Sequence, residues 1–420
     1  MNKWTRMLCA GAALAAALTV SAFAADFTEC AEHLDDMGLF RGTEQGYELD
    51  RAPTRAEAAA MLVRLLGKEE EAGRLAYDAP FTDLQEWEKP YVQYLYENGL
   101  TTGATETTFE PEEQCTAQMY AAFLLRALGY TEADGDFVYA DSSRFASRIG
   151  LYDPATVNEA DFLRDHVVAA SYTALSISPK GTDDTLLARL AAAGAVEEPA
   201  AAPYQELFQA YNRYLDATSK MDGLTALSVG QELRVDAGTF VMTCEEQTAI
   251  DLGAPAMLTD RTVTLSAEQA GEKTFTAESY TANGFRYLRQ DGTKSRRALT
   301  NGQMQLAFEG YARVPVALID SVSVSGQSYT IGYNQAGLAR LDSVLEAAQS
   351  AVGALGDLEI EGFTVVQEAS DGLIQAQEVR FGFAADGISG QVESRMTLQG
   401  VDNQVTVSAP ANLEQYPLVK

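Results

Sequence analysis

TRAEAAAMLVRLLG, residues 54–67, and TAQMYAAFLLRALG, residues 116–129, are one segment written twice, 62 positions apart. Seven of the fourteen positions are identical: Thr, Ala, Ala, Leu, Arg, Leu and Gly. Both stretches read as helices. In the first, Thr54 stands three residues before Glu57 and ahead of an Ala-rich run. In that capping-box pattern the hydroxyl and the carboxylate satisfy free N–H groups at a helix start. In the second, Phe123, Leu124 and Leu128 fall on one face. Arg55 is the odd residue, a cation in a first turn where the helix dipole favours anions.

The repeat extends upstream. Gly38-Leu39 and Gly42 correspond to Gly99-Leu100 and Gly103, and Tyr47 corresponds to Phe109. A weaker third copy follows: Tyr139-Ala140-Asp141 echoes Phe81-Thr82-Asp83, Gly150-Leu151 echoes Gly99-Leu100, and Leu163 to His166 falls where Thr54 to Glu57 would. The copies span 26–70, 78–131 and 137–180, each a helix, a Gly-containing loop and a second helix. In the second copy Tyr91, Tyr94 and Leu95 set a helix over about 88–98, closed by Gly99 at the left-handed position. One such pair cannot bury its own apolar stripe. Three around a common axis can, so an all-α pseudo-threefold bundle is expected.

Residues 181–203 read as a short helix (about 183–193) and a semi-extended linker, VEEPAAAP at 196–203. From 204 onward the pattern changes. Tyr204, Leu207, Phe208, Tyr211 and Leu215 describe an amphipathic helix, and Leu338, Leu341, Leu345, Ala348 and Val352 a second. Between and after them runs period-2 alternation, as in RTVTLSAE (261–268) and QVESRMTLQG (391–400), with Asn283-Gly284, Asp291-Gly292, Asp371-Gly372 and Asp386-Gly387 as hairpin turns. The expected fold class is α+β and multidomain: the helical bundle, then at 204–420 an antiparallel sheet or half-barrel with two covering helices.

Composition narrows the function. Residues 1–25 read as a signal peptide, with Lys3 and Arg6 ahead of an apolar run and an Ala22-Phe23-Ala24 cleavage site. Their removal takes the formal charge from −30 to −32. Such a charge repels nucleic acid and anionic membrane surfaces. No later run is long enough to span a bilayer. Cys30, Cys115 and Cys244 remain, an odd number that reads as buried thiols, with one Cys30–Cys115 bridge as the alternative.

With these residues in place, the first 27–176 resemble tandem S-layer homology domains. The markers are Phe81-x-Asp83 with Trp87, the Gly99-x-x-x-Gly103 loop, Phe109-x-Pro111 and Thr54-Arg55-Ala56-Glu57. The resemblance implies a secreted protein associated with the cell wall or S-layer, whose inter-copy grooves hold an acidic, often pyruvylated secondary cell-wall polysaccharide. Arg55 and Arg164 would grip the acidic sugar, with Thr54, Glu57, Asp83 and Trp87 around them. Ala117 and Met119 replace the arginine and glutamate in the second copy, so two usable grooves and one structural groove are expected. Without that context Arg55 would read as a solvated or locally paired arginine. Arg64 and Arg126 read as solvated charges near helix C-termini.

The element order of the C-terminal part resembles the lipoprotein-carrier (LolA/LprG-like) fold, which implies a cavity for a lipid or other apolar ligand; a filled core is the alternative. Lys294, Arg296 and Arg297 form its basic cluster, a contact for an anionic headgroup or a solvated loop. No enzyme, cofactor or metal is expected. The two histidines, His33 and His166, both lie in the repeats, and no nucleophile elbow, phosphate loop or H-E-x-x-H occurs. Asp134-Gly135-Asp136 reads as a turn rather than a Ca²⁺ loop. Two functions from different classes lead, a wall-anchored display module and a wall-tethered carrier or sensor. A carboxylate-based wall hydrolase is a distant third, since 60 acidic residues make carboxylate pairs inevitable by chance.

Overall fold

The computed structural model describes residues 27–238, 240–267, 271–299, 313–339, 359–385 and 388–419. The leader, the Asp386-Gly387 turn and the helix expected around 338–352 lie outside them, except that residues 335–339 begin a helix. The three copies supply helices α1 (Thr28–Asp36) and α2 (Arg55–Leu65), α3 (Lys89–Glu97) and α4 (Ala117–Ala127), α5 (Ser142–Arg148) and α6 (Arg164–Ser176).

The first helix of each copy ends the same way. Gly38, Gly99 and Gly150 take φ of 72°, 67° and 76°, a region closed to most side chains. The next residue then donates its N–H five residues back: Leu39 to Leu34, Leu100 to Leu95, Leu151 to Ala146. This is the Schellman ending, and its hydrophobic partner is the buried leucine itself. The recurring Gly-Leu pair is thereby explained. Downstream, α2 packs on α3, α4 on α5 and α6 on α1, while α2, α4 and α6 touch one another. Leu62, Leu124 and Val167 are buried in the shared core, and Tyr120 meets Ser171 there, oxygen to oxygen at 2.7 Å.

The expected linker is not extended. Helix α7 (Leu186–Ala192) is followed by α8, which runs unbroken over Glu198–Ala217. Pro199 lies in the first turn, where no backbone N–H is needed, and the alanines between Pro199 and Pro203 are strong helix formers. Ala201 and Phe208 are fully buried, so this segment is packed structure. The same hydrophobic cluster continues through α8 to Ala317, Ile319, Tyr329 and Ile331. Cys30 of α1 reaches the Ala317 carbonyl at 3.5 Å, and Tyr211 donates to the Val314 carbonyl at 3.0 Å.

The C-terminal part is an open antiparallel sheet of eleven strands in the order β6-β5-β4-β3-β2-β1-β11-β10-β9-β8-β7. Strands β1 (Ala226–Asp236) to β6 (Thr293–Ala298) step outward from the centre as a meander. Strands β7 (Ile319–Ser325) to β11 (Ile388–Val401) return from the opposite edge, and β11 closes against β1. Asn283-Gly284, Asp291-Gly292 and Asp371-Gly372 all have positive φ at both positions, as two-residue hairpins require. At the closing seam, Thr225 donates both its N–H and its hydroxyl to Asp402. The outer strand β6 is covered in part by the C-terminal segment: Arg296 donates to the Pro417 carbonyl, and Val419 donates back to Arg296.

One face of the sheet is apolar in two patches. Leu233, Met242, Cys244, Phe381 and Val392 belong to one, Leu227, Val229 and Ile250 to the other. A transverse row separates them, with Gln367 against Gln377 and Gln231 beside Glu246 and Arg261. Arg261 Nε donates to Glu246 at 2.6 Å, and Gln367 donates to Gln377 at 2.6 Å.

Candidate functional site

The start of α2 is built as its sequence specifies. Thr54 Oγ1 accepts from the Glu57 N–H, and the Glu57 carboxylate accepts from the Thr54 N–H. The two preceding free donors find another copy. Arg55 N–H donates to the Glu113 carbonyl at 2.9 Å and Ala56 N–H to Pro111 at 3.1 Å. A second junction repeats this 62 residues earlier, where Arg164 N–H donates to Arg51 and Asp165 N–H to Leu49. Glu110 and Glu48, at matched loop positions, both adopt positive φ, 58° and 50°. The third junction differs: Tyr152 donates to the Ala117 carbonyl and Ser142 to that of Gln118.

Both anchor arginines are buried, Arg55 to 6% exposure and Arg164 to 3%. Each points its Nε at a carbonyl of the adjoining loop: Arg55 to Phe109 at 2.8 Å, Arg164 to Tyr47 at 3.0 Å. Arg55 also lies over the Phe109 ring, 4.8 Å from its centroid. Beyond this the junctions diverge. Arg164 Nη1 stands 3.9 Å from Glu57, whose two oxygens are held by Arg51; Arg51 in turn binds Glu48. Burial works against the Glu57 charge, but the Arg51 and Thr54 hydrogen bonds and the Arg51 and Arg164 charges hold its carboxyl below the ordinary value. Burial lowers Arg164 against the opposing pull of Glu57. Both guanidinium groups also meet a methionine sulfur, Arg164 that of Met61 at 3.8 Å and Arg55 that of Met119 at 3.3 Å, but Arg55 has no ion pair among the described residues.

Asp83 acts one step behind this site. Its carboxylate accepts from the N–H groups of Phe109 and Glu110, which fixes the loop whose carbonyl receives Arg55. Gly103 lets the neighbouring loop close on Phe81, because a Cβ there would come within 2.3 Å of the ring. Trp87 is 47% exposed and edge-on to Tyr91. Thus Thr54, Arg55, Glu57, Asp83 and Arg164 converge on two linked junctions, while Trp87 stands apart in the turn before α3. The sequence reading missed Arg51 and the Phe109 carbonyl; the 62-residue offset is the signal that pairs these loops.

Arg64 and Arg126, expected as solvated charges, are tied down instead. Arg64 binds Glu69 and Tyr91, and Arg126 binds Glu132 and the Leu100 carbonyl. Each acid stands close along the chain, five residues on for Glu69 and six for Glu132, while Tyr91 comes from α3 and the Leu100 carbonyl from the segment just after it. In the third copy Leu163 has no acceptor, so only half the capping box survives: its N–H donates to His166 Nδ1 at 2.9 Å. Lys180 spans Asp134 and Asp136, at 3.3 and 2.7 Å, which makes that loop an ion-paired turn. Cys30, Cys115 and Cys244 are free and buried, and burial raises Cys115 to about 12 and Cys244 to about 11. In the basic cluster, Lys294 binds Gln415 and lies over Tyr416, Arg296 lies over Phe285, and Arg297 is exposed opposite Arg286.

Part of this region resembles known proteins. Residues 80–116 match the S-layer homology domain. Three relatives share the region. The middle cell wall protein of Brevibacillus brevis is 30% identical over 119 residues, 28% of this chain and 11% of that protein. The surface layer protein of Brevibacillus choshinensis is 30% identical over 132 residues, 28% and 12% of the two chains. An endoglucanase of a Bacillus species is 39% identical over 79 residues, 19% and 8%. The similarity thus spans about a tenth of each relative. Among solved structures, the Mycobacterium tuberculosis lipoprotein LppX aligns with 48% of this chain and 98% of its own, at 12% identity and a TM-score of 0.25. No described helix is long and apolar enough to cross a membrane.

Proposed function

We propose that the chain is a non-catalytic, secreted cell-envelope protein, anchored by its N-terminal copies to an acidic secondary cell-wall polysaccharide and displaying the β-rich part as an interaction module. The observation that carries this reading is Arg55, a buried guanidinium between two copies with no ion pair among the described residues. Buried charges are ordinarily paired, so the missing partner is taken to be a ligand carboxylate, such as that of a pyruvate ketal. Arg164 marks the second junction, Thr54 and Glu57 hold the helix start, and Asp83 sets the receiving loop. Trp87 offers an exposed ring to a sugar. In this reading the three copies close around one axis. The match to the S-layer homology domain and the cell-wall and surface-layer relatives support it.

A carrier or sensor of an apolar ligand is the second reading, favoured by the apolar sheet face; there Arg297, beside Arg286, would meet an anionic headgroup, with Lys294 and Arg296 behind them. Because Met242 and Val392 are fully buried, a filled core accounts for that face without a ligand, and the display reading is preferred.

The test is a pull-down of residues 26–420 on purified sacculi with and without their polysaccharide. Wild type is expected to bind only polymer-bearing sacculi, and Arg55→Ala/Arg164→Ala to lose binding. Added salt should leave wild-type binding unchanged or improved, because a −32 protein repels an acidic polymer beyond a screening length of about 8 Å. Equal binding to stripped sacculi would make the copies a scaffold only.

A further inference from the structure

We infer that the two arginine junctions are not equivalent. The Arg55 junction is open to an external carboxylate, the charge of the Arg164 junction is already balanced by the chain's own Glu57, and the side chain at position 119 or 57 decides which. This deepens the anchoring reading and rests on it.

The argument starts from the offset of 62, which makes Met119 the counterpart of Glu57, both at the third residue of a helix whose cap is a threonine. Met119 lies beside Arg55 of the first copy, and Glu57 beside Arg164 of the third. At the Arg164 junction the charges close among themselves. Arg164 and Arg51 face Glu57 and Glu48, and Glu57 already spends both oxygens on Arg51 and one on the Thr54 N–H. An incoming carboxylate would meet a carboxylate in place, and displacing it would strand two cations.

At the Arg55 junction the same position holds a thioether, a weak acceptor without charge. Arg55 and Arg164 use their donors alike, Nε on a loop carbonyl and Nη1 on a methionine sulfur (Met119 at 3.3 Å, Met61 at 3.8 Å). The difference is one of charge: Arg164 has Glu57 at 3.9 Å, and Arg55 has no carboxylate beside it among the described residues, which leaves its Nη2 edge for a ligand. The residues matched to Arg51 and Glu48 are here Glu113 and Glu110, both exposed and neither paired with Arg55 among the described residues. They suit the hydroxyl donors of a sugar whose carboxylate is held further in. The ligand class is therefore a uronic or ketal-bearing saccharide with one carboxylate, bound once per chain.

The decisive variant is Met119→Glu. It restores the Thr–x–x–Glu cap to α4, so it should fold with equal or higher thermal stability. It also places a carboxylate against Arg55. Side-chain ¹⁵N–¹H NMR of full-length mature protein, titrated with sodium glucuronate, reads each arginine separately. In wild type the Arg55 Nε–H signal is expected to shift and that of Arg164 to stay. Met119→Glu should weaken the Arg55 response by roughly tenfold or more, while Met119→Gln stays within about threefold of wild type. Glu57→Gln, which keeps an acceptor for the Thr54 N–H, should make Arg164 respond. Equal responses of both arginines in wild type, or an unchanged Arg55 titration in Met119→Glu, would overturn the inference. Arg55 titrating as described in a protein that ignores sacculi would keep the inference and remove the wall reading. No response of either arginine, with sacculi still bound, would do the reverse.

Discussion

His166 holds, in the third copy, the place that Glu57 holds in the first, and the exchange of carboxylate for imidazole changes how the helix start answers to acid. Its Nδ1 accepts the Leu163 N–H, which requires the neutral ring, and burial, against a small pull from Asp161, lowers its pKa below 6.5. As pH falls, the unfolded chain takes up the proton first. The stability contributed by the neutral ring is present above about 6.5 and is lost as pH falls through the folded value. Urea unfolding between about pH 7 and pH 5.5 is expected to show wild type losing stability with acid and His166→Gln, which keeps an acceptor, losing less. At this scale the capping box of Thr54 and Glu57 was legible, because its partners lie three residues apart. The burial of Arg55 was not. Its partners, Phe109 and Met119, are 54 and 64 positions away and become neighbours only through the packing of copies.

At the scale of elements, α8 shows how a breaker residue misleads. Two prolines among alanines suggest an extended segment, yet Pro199 falls where a helix tolerates it and Ala201 is fully buried. Exchanging Ala200, Ala201 and Ala202 for glycine should cost about 3 kcal/mol at about 1 kcal/mol per residue, measured by urea unfolding. A linker would show no change. The Gly-Leu helix endings and the Asn-Gly and Asp-Gly hairpins were readable, since each is a local backbone requirement met by a residue type. The row of Gln367, Gln377, Gln231, Glu246 and Arg261 was not, because it assembles from five strands whose pairing is set by register. Within it Glu246 is buried and paired with the partly buried Arg261 of the next strand.

Across the whole molecule, the hydrophobic cluster of the copies does not stop at a boundary: it passes through α8 into β7 and β8 (Ser328–Tyr333). Phe208 sits fully buried along that path. Phe208→Ala is expected to cost about 3–5 kcal/mol and to lower one calorimetric transition shared by helices and sheet. Two separate transitions, with only the helical one moved, would mean the halves are energetically independent. The division into a helical part and a β-rich part was visible as a change of pattern from residue 204 onward; their joint core was not, because no local pattern marks which faces meet.

The strand order also decides how the chain would bear tension. Strands β1 and β11 are antiparallel neighbours, and Leu227 lies opposite Val401, so the chain enters and leaves the sheet at the same end of one seam. A pull between the copies and the C-terminal segment first loads the bonds of Pro417 and Val419 to Arg296 on β6, and once that segment peels away it loads the clasp of Thr225 on Asp402. After that, the seam opens one pair at a time from Leu227 toward Asp236, as a zip and not in shear. A protein held to a wall at its helical end would yield gradually along that line, the six-strand half peeling from a five-strand half that stays packed on the copies through β7 and β8.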